Sequence, residues 1–215
     1  MKNILTEEES SRLDSCVAEA EKQTGVQIVL AALERSDSYP ELPWKAFALG
    51  ASIAGLKVSL LALMSPSSFF VSSPLFLAVA VLAAGGAAAL CSVFIPPFAR
   101  LFLDRNRAET EVRQYAESLF LSRELFATRE RTGILLLVSR FERTAVVLPD
   151  SGMKPCLSEK DIRQVTARMS GLLATHQVAA ALEAGLACLL EQLPGRAGQA
   201  AGNELPNGIV QEKGA

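Results

Sequence analysis

The spacing of apolar and polar residues changes several times along the chain, and each change marks an element. Residues 46–64 (AFALGASIAGLKVSLLALM) and 75–95 (LFLAVAVLAAGGAAALCSVFI) are apolar on every face, and Lys57 is the only full charge in either. Each run matches the roughly 20 residues a helix needs to cross a bilayer. A helix of a water-soluble domain carries an apolar stripe, not an apolar circumference. The two runs, joined by a short uncharged connection, therefore predict a transmembrane helical hairpin. Trp44 and Lys45 stand at its entrance as an interface pair, and Arg100, Arg105 and Arg107 follow its exit. Basic residues at both ends and no charge in the connection between the runs place both ends in the cytoplasm of a multi-pass cell-membrane protein. Gly50, Ala51, Ala54 and Gly55, with Gly85 and Gly86, give small faces on which helices approach closely in lipid, including those of a homo-oligomer.

Outside the hairpin the pattern is that of a globular domain. Thr6-Glu7-Glu8-Glu9 is a capping box that opens a helix over 7–24, with Leu13, Cys16, Val17 and Ala20 on its apolar face and Gly25 as its stop. Residues 26–33 (VQIVLAAL) read as a buried strand, and 34–43 as a polar loop. A long helical stretch, continuous or broken, is expected over about 98–126, with Val112, Tyr115, Ala116, Leu119 and Phe120 facing inward. Residues 133–139 (GILLLVS) and 144–148 (TAVVL) are two more strands joined by the turn 140–143. Ser158 caps a further helix with Ile162, Val165, Met169, Leu172 and Leu173 inward, and a last helix runs from Val178 to Leu193. Residues 196–215, rich in glycine, alanine and polar side chains, are expected to be disordered.

One helix cannot bury the strand at 26–33, so its partners must come from beyond the hairpin. The expectation is an α/β fold: a small three-layer α/β/α sandwich of three strands, interrupted by the hairpin. Its parts are 1–42 and 98–195, with the hairpin at 43–97 and the tail at 196–215.

Composition narrows the chemistry. A net charge of −2 gives no basic face for nucleic acid. Cys16, Cys91, Cys156 and Cys188 are far apart and read as reduced, mostly buried side chains. His176 is the only histidine, and there is no G-x-S-x-G elbow, which excludes histidine-rich zinc sites and the usual serine-hydrolase signature. The first apolar run follows a long charged segment without a small-residue cleavage pattern, so no signal peptide is expected.

The candidate residues each have two readings. Lys57 either snorkels to the interface or lines an ion or substrate path in an oligomer. Asp150, with Glu159 and Asp161, is the candidate metal group and Asp150 the candidate catalytic acid. Calcium or magnesium would need a further oxygen from Glu34, Asp37 or Glu130. Alternatively Asp150 opens a turn through Ser151-Gly152, and Glu159 and Asp161 fill a helix's first turn. Arg129 and Arg131 either hold a phosphate or pair with Glu124 and Glu130. No cofactor is expected beyond such a divalent ion.

Taken in order, Leu5-Thr6-Glu7-Glu8-Glu9, Thr24-Gly25-Val26-Gln27-Ile28-Val29, Ala116-Glu117-Ser118-Leu119-Phe120, 131–139, Phe141-Glu142-Arg143 and 146–152 resemble the TPM domain, over about residues 5–37 and 107–193. The resemblance is to bacterial membrane proteins in which TPM halves flank a hairpin, and it implies an α/β/α sandwich. Other TPM members are assigned acid phosphatase activity and calcium binding, and often carry Asp-Asn-Gly before the second strand. Here Arg131-Thr132-Gly133 stands there, which removes two hard oxygen ligands, while Asp150 remains at the end of the third strand. The expectation is a membrane-tethered interaction or regulatory module acting on other membrane proteins. The alternative is a divalent-metal-dependent phosphatase with a degenerate site.

Overall fold

The structure is a computed structural model that describes residues 4–64, 73–193 and 208–214. The chain forms two compact units, Met1–Asp37 with Asn106–Ala215, and Ser38–Arg105.

In the first unit, α1 (Glu7–Thr24) begins on the expected capping box. Thr6 Oγ1 accepts from the Glu9 amide at 3.2 Å, and Glu9 Oε2 accepts from the Thr6 amide at 2.8 Å. Gly25, at φ 68°, ends it in the left-handed region, where glycine carries no Cβ penalty. The chain then enters β1 (Gln27–Arg35). After the second unit follow α5 (Arg105–Ser122), β2 (Gly133–Ser139), β3 (Thr144–Pro149), α6 (Glu159–Leu173), α7 (Val178–Gln192) and β4 (Val210–Gly214). Among the described residues the strands form one mixed sheet in the order β3-β2-β1-β4. β1 pairs in parallel with β2, from Gln27 opposite Gly133 to Leu33 opposite Ser139, and β2 pairs antiparallel with β3.

Alternation along the strands divides the core. Ile28, Leu30 and Ala32 of β1, and Ile134, Leu136 and Val138 of β2, pack with Leu13 and Val17 of α1, Met169 of α6 and Leu182 and Leu186 of α7. Ala31, Leu135 and Leu137 pack with Val112, Ala116 and Leu119 of α5. β2 is buried along its whole length, as an interior strand with apolar contacts on both faces must be. α6 and α7 meet at Gly185, where a Cβ would stand 2.6 Å from Met169 Sδ.

Two expectations change here. The tail at 196–215 is not wholly disordered: Val210–Gly214 is a strand, pairing with β1 from Ala31 opposite Val210 to Arg35 opposite Gly214. Its valine and its neighbour Ile209 are half-buried, so a polar composition hid a two-residue apolar anchor. Residues 194–207 lie outside the described residues. The sheet consequently has a fourth strand. The helical stretch over 98–126 takes its broken form: Leu103 is extended (ψ 123°) ahead of α5, and Glu124, at φ 52°, closes it.

In the second unit, α2 (Glu41–Met64) starts five residues earlier than the apolar run, with Pro43 in its first turn, where an amide needs no intrahelical acceptor. α3 (Pro74–Phe94) is followed by the single turn α4 (Pro96–Ala99) and a 3-10 turn at Arg100–Phe102. Along α2, Phe47 and Gly55 meet Gly85 and Val81 of α3 in turn, so the helices run antiparallel. A Cβ on Gly50 would lie 2.8 Å from both the Ala84 carbonyl oxygen and Ala88 Cβ, and one on Gly85 would lie 2.8 Å from the Phe47 ring. These two glycines of the small faces are taken up inside the pair. The connection expected at 65–74 falls mostly outside the described residues.

Candidate functional site

The polar groups of the first unit gather at the two ends of the sheet. At the carboxyl ends of β1 and β2, the turn 140–143 folds back over the end of β1. The amides of Arg140 and Phe141 donate to the carbonyls of Leu33 (2.8 Å) and Glu34 (2.9 Å). This brings the Glu142 side chain, 9% exposed, between the two strand ends. Its Oε1 accepts from the Ser36 amide at 2.8 Å and from Ser36 Oγ at 2.6 Å, and its Oε2 accepts from Ser139 Oγ. A buried carboxylate with several donors is satisfied, and charge-assisted hydrogen bonds are the strong ones. The Arg35 guanidinium covers the Phe141 ring at 4.4 Å. One residue beyond Ser36, Asp37 pairs with Arg107 at 3.2 Å. The point where the chain leaves the first unit is thereby held to the point where it returns.

Arg143 and His176 meet on the same side of the turn, Nη2 to Nε2 at 3.0 Å. A guanidinium has no acceptor, so the imidazole accepts at Nε2 and carries its proton on Nδ1. Both residues have φ in the left-handed region, 54° and 63°.

Asp150 lies at the other end. β3 is antiparallel to β2, so its carboxyl end sits beside Gly133 and the start of β2. Asp150 follows the third strand, as expected, but that end lies beside the start of β2 and away from the carboxyl ends of the parallel strands, where ligands bind in open α/β sheets. The side chain is 8% exposed. Oδ1 accepts from the Ser151 amide at 2.6 Å, while Oδ2 is buried without a hydrogen bond and faces Arg131 Nη1 at 3.9 Å. Arg131 also lies 5.6 Å over the Phe126 ring, at φ 56°. Gly152 is wedged beneath this loop, where a Cβ would sit 2.1 Å from the Glu130 carbonyl oxygen and 2.6 Å from that of Arg131.

The other candidates do not join Asp150. Asp161 forms a capping box with Ser158, accepting from Ser158 Oγ at 2.6 Å and from its amide at 2.9 Å, and those hydrogen bonds hold its carboxyl below the ordinary value. Glu159 is exposed and pairs with Arg163 at 3.7 Å. Among the described residues no three histidine, cysteine, aspartate or glutamate side chains are gathered to hold a metal ion. A divalent cation at Asp150 would meet one carboxylate and a guanidinium, a donor set that does not suit a hard ion. Arg129 is exposed on the loop before β2, and Lys57 is exposed on α2. The Asp150 carboxylate meets the Ser151 amide and Arg131, and neither of these two.

Sequence reasoning missed two clusters. Glu142 and its serines come from β1, β2 and their flanking turns, far apart in sequence. The signal was a glutamate in a tight turn between two apolar strands, which pattern alone assigns to solvent. The second cluster is on β4. Glu212 accepts from the Tyr115 phenol and pairs with Arg123 at 3.4 Å. Burial first, then Glu212, pushes the Tyr115 phenol up to about 12.

No family model and no curated protein match this chain. Among solved structures it is similar to the NMR structure of BA42 protein from the psychrophilic bacterium Bizionia argentinensis. The identity is 15%, the alignment covers 98% of this chain and 97% of that one, and the TM-score is 0.53. At that identity the likeness is one of fold.

Proposed function

We propose that this chain is an integral membrane protein in which α2 and α3 tether a TPM-like, three-layer α/β/α domain to the cytoplasmic face of the cell membrane. The domain serves there as an interaction or regulatory module for other membrane proteins. The observation that carries the reading is the surface of the helical pair. The most apolar stretches of α2 and α3 have mean hydropathies of 1.8 and 2.2, yet only 0% and 11% of those stretches are buried within the chain. The core helix of a soluble protein of that composition would be covered. Here Leu56, Leu63, Leu75, Val79, Leu82 and Phe94 are all more than half exposed. Leaving such side chains in water forfeits on the order of 1.5–3 kcal/mol each, and lipid removes that cost. The second unit is inserted between β1 and α5, and the Asp37–Arg107 pair supports a domain that closes on itself with the hairpin as an excursion. The phosphatase alternative finds little support in a lone Asp150 that faces Arg131.

Alkaline carbonate extraction of membranes, with reporter tags on each terminus, tests the tether: the chain stays in the pellet with both tags on the cytoplasmic side. Recovery in the soluble fraction, or tags on opposite sides, would sink it. Crosslinking in native membranes tests the module, with reproducible capture of membrane proteins expected. Turnover of a generic phosphomonoester that requires calcium or magnesium and is lost in Asp150→Asn would replace the module with the enzyme.

A further inference from the structure

The second unit carries one charge deep within its apolar surface. Lys57 lies thirteen residues past Trp44 and seven before Met64, the last residue of α2. Trp44 is 73% exposed, and tryptophan settles at the edge of the hydrocarbon. At about 1.5 Å per residue, the Lys57 Cα then stands about 20 Å beyond the cytoplasmic edge and about 10 Å short of the far one, in a core about 30 Å thick. Its neighbours on the helix face, four residues before and three, four and seven after, are Ile53, Leu60, Leu61 and Met64, and all four are exposed. Gly50 and Gly55 meet α3 beside this ridge, so Lys57 belongs to the surface that the hairpin offers to its surroundings.

Snorkelling serves this lysine poorly. The Cα–Cβ bonds of a helix tilt toward its N-terminus, which is here the cytoplasmic end, so the stem sets out toward the bilayer centre. Turned back along the axis, a four-carbon stem covers roughly half of the distance to the far edge. An aqueous path needs polar walls, and the four neighbours are apolar. Nor does this chain neutralise the charge, because residues 42–103 hold no aspartate or glutamate. A second copy of the hairpin brings only a second lysine to that depth. What fits the ridge is an apolar helix with a carboxylate level with Lys57, since a charge-assisted hydrogen bond gains strength where water is absent.

We propose that Lys57 is the docking charge for a transmembrane helix of another protein, one that carries an aspartate or glutamate in the half of the bilayer away from the cytoplasm. This rests on the membrane reading above and gives its module a partner of stated chemistry.

The test uses the full chain in cells, with a photo-crosslinking residue in place of Leu60. It is co-expressed with a tagged leucine–alanine helix whose basic flank fixes its orientation and which carries one aspartate at the depth of Lys57. The expected adduct is at least roughly fivefold above that of the same helix with leucine for the aspartate, or with the aspartate moved to the cytoplasmic half. It falls to their level in Lys57→Leu and survives in Lys57→Arg. In native membranes, without the designed helix, the same residue should capture a protein with a carboxylate at that depth. That adduct should fall by a similar factor in Lys57→Leu and return when Lys57→Asp meets a lysine substituted for the captured carboxylate. Equal adducts from the aspartate and leucine helices overturn the proposal. So do native adducts made only of lipid or of a second copy, and native capture that Lys57→Leu leaves unchanged. Any of these in a chain that stays in carbonate-washed membranes overturns the docking alone, whereas release into the soluble fraction overturns the tether with it.

Discussion

Two side chains report how burial and charge are balanced in the first unit. Glu21, on the last turn of α1, accepts from the Ile28 amide at 2.9 Å, three residues before the first β4 partner on that strand. Burial raises its carboxyl and the Ile28 hydrogen bond only partly offsets this. A raised carboxyl contributes stability that is present below its ordinary value and lost as pH rises through the raised one. Near neutral pH the ionised form is therefore a small burden. Glu21→Gln keeps an acceptor for Ile28 and should raise stability at pH 7 by about 0.5 kcal/mol, discounted for a half-exposed site. The gain should vanish at pH 3 in thermal unfolding. Tyr115 has the same sign at the other end of the scale. Its neutral phenol is favoured in the fold, so its contribution is intact below pH 10 and lost as pH rises through about 12. Absorbance at 295 nm should show a late ionisation that Tyr115→Phe removes.

Close backbone approaches set what the elements tolerate. The loop that carries Arg131 and Asp150 rests on Gly152, and Gly152→Ala would force a Cβ to 2.1 Å from a carbonyl oxygen. Overpacking of that kind costs about 1–3 kcal/mol. The expected result is a thermal midpoint several degrees lower. In the helical pair, a Cβ on Gly50 would stand 2.8 Å from the Ala84 carbonyl oxygen. Gly50→Val should splay α2 from α3, and a Cys pair at Gly55 and Val81, where an added Cβ lies 3.8 Å from Val81 Cγ2, oxidised without the Gly50 change, should lose most of its crosslink in the variant. Gly86 has nothing within 4 Å of an added Cβ, so Gly86→Ala is the matched control and should leave the crosslink intact.

At the scale of the whole molecule, the first unit is discontinuous in sequence but closed in space. β1 is an interior strand contributed by the amino-terminal segment, and every other strand of its sheet lies beyond the second unit. Joining residue 37 to residue 106 through a few glycine and serine residues should give a soluble, folded domain, because Asp37 and Arg107 already meet at 3.2 Å. Residues 106–215 alone should not fold, since they lack β1 and expose the edges of β2 and β4. Circular dichroism with a cooperative melt for the first protein and none for the second is the expected pair of outcomes.

Local chemistry determined much of this before any coordinates. The bounds of α1 and β2, the Thr6 capping box, the Ser158 cap and the two apolar helices follow from residues within a turn or a few alternations of one another. Tertiary structure alone decided the rest. It laid β1 parallel beside β2 in one sheet with Glu142 and Asp150 at opposite ends, whereas the antiparallel course of β3 already follows from the four-residue turn 140–143. It drew Ser36, Ser139 and Glu142 into one buried cluster, and it seated Glu212 against Tyr115 and recruited a polar tail as the fourth strand. Each depends on contacts between residues distant in sequence. Hydrophobic periodicity registers whether a strand is buried, but not which edge it lies against or in which direction.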